Sequence, residues 1–84
     1  MTDPVIFSLD TNGFERLITI TPILNRAANG DLHPTGVFKL ADGDMNMGEI
    51  VFDDELKQWE YTGLGNLTHM EAARIARYIR NYDK

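Results

Sequence analysis

The fifteen residues from Thr68 to Tyr82 constrain the fold more than any others in the chain. Thr68 and Glu71 stand three apart, the spacing of a capping box in which each side chain satisfies the other's free backbone N–H. Ala72, Ile75, Ala76, Ile79 and Tyr82 then recur at i, i+3, i+4, i+7 and i+10, one apolar stripe on a helix. Two of the five are alanine, so this helix can lie close to its neighbour. Arg74, Arg77 and Arg80 fall on the opposite face, toward the C-terminus, where the helix dipole favours cations. A helix with one apolar stripe needs one apolar surface to cover it, and the preceding residues must supply that surface.

Those residues carry period-two signals instead. Val5, Phe7 and Leu9 share one face of a strand, and Phe14, Ile18 and Ile20 share one face of the next, with Glu15, Thr19 and Thr21 on the other. Asn12-Gly13 between them predicts a two-residue hairpin loop. That register sets Phe7 opposite Ile18, Val5 opposite Ile20 and, less favourably, Asp10 opposite Glu15. Pro22 is expected to end the second strand. Residues 23–36 admit two readings: Ile23–Ala28 as one or two helical turns stopped by Asn29-Gly30, or a long irregular loop. His33-Pro34-Thr35-Gly36 reads as a turn.

A meander follows. Residues 37–40 form a short strand with Phe38 and Leu40 inward. A two-residue turn at Asp42-Gly43 would put Phe38 opposite Met47, on the wrong face. A three-residue loop, Ala41-Asp42-Gly43 with Gly43 left-handed, restores the parity. A strand at 47–52, a four-residue turn at Asp53-Asp54-Glu55-Leu56 and a strand at 57–62 then set Ile50 against Trp59 and Gly48 against Tyr61. The expected fold is α+β, a single domain over 1–84. Its antiparallel sheet has about five strands, a hairpin plus a three-stranded meander, with one C-terminal helix packed on one face.

Eighty-four residues suit one core. The absence of cysteine excludes disulfides, zinc–thiolate sites and cysteine nucleophiles. With no leader-like start at Met1–Pro4 and no apolar run of about 18 residues, a cytoplasmic setting is expected, without a membrane span.

Motifs with chemistry are sparse. Asp42, Asp44 and Asn46 match positions 1, 3 and 5 of a calcium loop, with Asp53 at position 12. Position 6, where the turn needs glycine, is Met47, so a polar hairpin turn accounts for the same residues and no metal site is expected. Gly63-Leu64-Gly65 precedes the helix but lacks a third glycine and a lysine, and Glu71 would repel a phosphate there. Ser8 is the single serine, and nothing in the spacing brings His33 or His69 to it. No catalytic residue and no cofactor is therefore expected.

Charge is the remaining lead. The chain carries a formal net charge of −5. Asp42, Asp44, Glu49, Asp53, Asp54, Glu55 and Glu60 place seven of its thirteen acids within nineteen residues. Such density suits either solubility and protection of a sheet edge or the docking of a basic partner. The expected function is a non-enzymatic acidic module that binds a partner protein through this meander. The alternative is a nucleic-acid-associated regulator using Arg74, Arg77 and Arg80, although the overall charge opposes it. An enzyme whose site the sequence does not reveal stands third.

Overall fold

A computed structural model describes residues 3–11, 13–53, 57–63 and 67–82. Five strands, β1 (Val5–Thr11), β2 (Phe14–Arg26), β3 (Leu32–Asp42), β4 (Met45–Asp53) and β5 (Gln58–Thr62), precede one helix, α1 (His69–Asn81). The strands lie side by side in chain order, every pair is antiparallel, and β1 and β5 stand at opposite ends without pairing, so the sheet is open. The fold is α+β, and no helix among the described residues is long and apolar enough to cross a membrane.

The β1–β2 register follows the alternation of the sequence, with Phe7 opposite Ile18, Val5 opposite Ile20 and Asp10 opposite Glu15. Leu9, Ile18, Ile20, Leu40 and Ile50 form the inner face, which α1 covers with Ile75, Ala76 and Ile79. The capping box is present: Glu71 N–H donates to Thr68 Oγ1 at 3.2 Å, and Thr68 N–H donates to Glu71 Oε1 at 2.8 Å. Glu71 also accepts from the Arg16 guanidinium of β2, which ties the start of the helix to the sheet. Tyr82, placed on the stripe by its spacing, is largely exposed at the helix end, and Phe14 is exposed beside the first hairpin loop.

Pro22 does not end β2. It lies just beyond the Val5–Ile20 pair, where the ladder to β1 has finished, so its missing N–H interrupts nothing on that side. A register shift at Ile23 follows, and β2 continues to Arg26. Residues 23–36 are accordingly neither helical nor an irregular loop. Leu24 pairs with Pro34, Asn25 with His33 and Arg26 with Leu32, making a two-stranded arm. Its tip is a three-residue hairpin loop, with Ala27 N–H donating to Asp31 O at 2.7 Å and Gly30 at φ 91°. The pairing of β3 with β4 begins only at Val37, so the arm extends past the sheet and lengthens the molecule to 47 Å along one axis and 28 Å along the others.

The β3–β4 connection also differs from expectation. Asp42 pairs with Met45 across a two-residue turn, Gly43-Asp44, with Gly43 at φ 60°. Parity is restored by a bulge instead of a longer loop: Ala41 pairs with Asn46 and Leu40 with Gly48, which leaves Met47 as the extra residue. Met47 is thereby turned into the core. The β4–β5 register is two residues away from the expected one, pairing Ile50 with Tyr61 and Phe52 with Trp59. The Tyr61 ring still covers Gly48, and its hydroxyl donates to the Met47 carbonyl oxygen. Gly48 has φ 95°, and a Cβ there would sit 2.5 Å from Thr62 O. Only glycine fits this position.

Candidate functional site

The helix covers one face of the sheet, and the register defines what the other carries. Ile6 and Thr19, Ser8 and Leu17, and Asp10 and Glu15 are opposed pairs on it. Thr21, Lys39, Glu49 and Thr62 make one row across β2 to β5, and Val37, Val51 and Glu60 make the next. Asp53, opposite Gln58, completes the face at the end of β4. On the strands of this face, Asp10, Glu15, Glu49, Asp53 and Glu60 stand against the single base Lys39. The short strand β5, with Glu60 and flanked by Asp53, is also an edge strand of the sheet.

Glu49 and Glu60 are diagonal neighbours across β4 and β5, as are Glu60 and Asp53. They form an acidic line along the β4–β5 half of the face. Asp44 joins it at one end, lining a shallow depression with Thr21, Lys39, Ala41, Asn46 and Glu49. Asp42 sits at the turn itself. Asp54 and Glu55 lie outside the described residues. The β1–β2 half is apolar and hydroxylic up to the Asp10–Glu15 pair beside the first hairpin loop, with Ile6 64% and Leu17 52% exposed. Ile6 and Leu17 are diagonal neighbours, whereas Val51 lies two strands away from Leu17.

The acids along β4 do not make a calcium loop. Asp42 and Asp44 are at one end of β4 and Asp53 at the other, eight residues from Met45 and hence about 27 Å away along a strand. Among the described residues, no group of three or more His, Asp or Glu side chains could hold a metal ion. Nor do the described residues bring Ser8 and a histidine together. Ser8 faces outward on β1, His33 is out on the arm, and the His69 ring stacks on Trp59 with centroids 5.5 Å apart. Of Gly63-Leu64-Gly65, only Gly63 is among the described residues.

The helix arginines diverge. Arg74 donates to the Asp10 carbonyl oxygen at 2.7 Å and, with Arg77, borders a groove beside Phe7, Tyr78 and Tyr82. The Phe7 and Tyr78 rings are 4.8 Å apart. Arg80 lies on the other flank, its guanidinium 5.6 Å from the Phe52 ring centroid. The Arg16–Glu71 pair was not anticipated, yet a signal existed. Arg16 has the inward parity of Ile18 and Ile20, and a cation on that face requires a partner.

No family model, curated protein or solved structure matches this chain.

Proposed function

We propose that this protein is a non-enzymatic binding module whose uncovered sheet face docks a basic segment of a partner protein. The observation that carries the reading is the five-to-one excess of carboxylates over ammonium groups on a face that no other layer among the described residues covers. Two of the protein's own helix arginines are turned to the margins of the sheet, Arg74 on the Asp10 carbonyl oxygen and Arg80 on the Phe52 ring. Glu49 and Glu60 stand as a diagonal pair on the outer face, and like charges so placed add their fields toward solvent, which would accelerate encounter with a basic surface.

Cross-linking and affinity capture with the wild-type chain and with a Glu49→Lys/Glu60→Lys variant tests this. The expected result is a captured protein that is lost on charge reversal and at high salt. Capture that survives both changes would show that the acidic line is not the docking surface.

A second reading has an observation of its own. Arg74 and Arg77 are interleaved with Phe7, Tyr78 and Tyr82, a pairing of cations and rings that suits a single-stranded nucleic acid. Fluorescence anisotropy with a labelled single-stranded oligonucleotide separates the two. Binding through this groove would weaken steeply with salt and disappear in Arg77→Glu.

A further inference from the structure

On the helix-covered side, meeting the acidic face only at Asp53, an open cavity of about 550 Å³ lies between the last turn of α1 and the arm end of the meander. Its floor is apolar. Phe38 and Phe52 meet edge to face with centroids 5.6 Å apart, and Ile79 closes the helix side. Gly36 keeps the β3 wall low. It has φ 83°, and a Cβ there would stand 3.0 Å from the Phe52 carbonyl oxygen.

The rim is charged, with Lys57 from the β4–β5 connection, Arg80 from the helix and Asp53 from the end of β4. Arg80 is fixed at the lip by its contact with the Phe52 ring, and neither Arg80 nor Lys57 makes an ion pair among the described residues. In a chain of net charge −5, the described residues at the mouth of this apolar cavity carry two cations against one carboxylate.

We propose that this cavity binds a small organic monoanion, a carboxylate on an apolar, preferably aromatic, body. The volume falls in the range of small-molecule sites, which bury an apolar body and orient it by a few polar groups. Phe38 and Phe52 supply ring edges and faces for stacking. Arg80 and Lys57 supply donors for the carboxylate, and the planar guanidinium matches it bidentately. Asp53 and the carbonyl end of the helix set the limit on charge, because together they oppose a dianion such as a phosphate monoester. One carboxylate is what two cations and one acid accommodate.

The probe is 4-phenylbutanoate, with the alcohol of the same carbon skeleton, 4-phenylbutan-1-ol, as its uncharged counterpart, each titrated into the 15N-labelled protein. Saturable shifts are expected at the amides of Gly36, Phe38, Phe52, Ile79 and Arg80, with a dissociation constant on the order of a millimolar for a ligand of this size. Lys57→Gln and Arg80→Gln should each weaken the carboxylate about threefold to fivefold, the range of a partly exposed ion pair. Both positions are on the surface, so the fold is retained. The alcohol should bind more weakly than the carboxylate and be indifferent to Lys57→Gln. Equal affinity for acid and alcohol would overturn the proposal, as would shifts centred on Phe7, Arg77 and Tyr78 or no saturable shift at all. Capture experiments on the acidic face are independent of this outcome.

Discussion

The two faces of one sheet follow opposite rules here. On the inner face every position under the helix is aliphatic, aromatic or glycine, except Arg16, and Arg16 is matched by Glu71. On the outer face, threonine, valine, alanine and charge alternate without a partner layer among the described residues. The backbone and hydrogen-bond ladder are common to both, so the difference resides in side chains alone. Stability is concentrated where the helix excludes water, and the other face is released from packing constraints to carry charge.

Substitutions should separate the faces by size of effect. The largest is expected at Ile75 and Ile79, where truncation to alanine opens a void between helix and sheet and costs about 2–5 kcal/mol. Ile75 is fully buried and Ile79 slightly less so, which orders the pair. Urea unfolding measures it, and a loss below about 0.5 kcal/mol at Ile79 would mean that the helix does not pack as described. Next comes Gly48→Ala. The added Cβ meets backbone atoms of β5 and Gly63, which have no rotamer to yield, and the left-handed φ adds strain, for about 2–4 kcal/mol in the same assay. Glu71→Ala should cost about 1–3 kcal/mol, since it removes half of the capping box and leaves Arg16 without its carboxylate on the inner face. On the outer face, Leu17→Thr should change stability by no more than about 0.5 kcal/mol. A larger loss there would break the comparison and reveal a covering contact.

How far this contrast could be read from sequence depended on how local each signal was. The helix, its cap and the first hairpin rest on neighbours in the chain, and their registers follow from Thr68, Glu71 and Asn12-Gly13. The β3–β4 pairing was harder, because the bulge at Met47 combines local features, the Gly48 N–H donating to Asn46 Oδ1 at 2.9 Å and Gly48 at φ 95°, with the distant Tyr61 ring over Gly48. The arm was missed for a different reason. Pro22 and Pro34 suppress a strand reading, yet Pro22 sits where one ladder has ended and Pro34 lies on β3 before its pairing with β4 begins. Asn29-Gly30, taken as a helix stop, is equally a hairpin tip. The acidic run was plain in the sequence, but only the register shows that Glu49, Asp53 and Glu60 share a face.

The smallest effect expected is self-association. The acidic face of one copy complements Arg74 and Arg77 on the helix of another, while the net charge of −5 on each chain opposes approach. Such a contact joins two different surfaces head to tail and does not close into a two-fold dimer, so no contact is made twice. Ile6 and Leu17 form only a small apolar patch, and Val51 does not extend it, which leaves little hydrophobic area to hold two copies together. Exposed ion pairs contribute a fraction of a kilocalorie each and fade with salt. The protein should therefore sediment as a monomer at low concentration. Its average mass should rise slightly at high concentration and low ionic strength, and fall back when salt is added or Arg77 is changed to glutamate. A tight dimer indifferent to salt would place a hydrophobic interface on the outer face and remove the contrast between the two sides of the sheet.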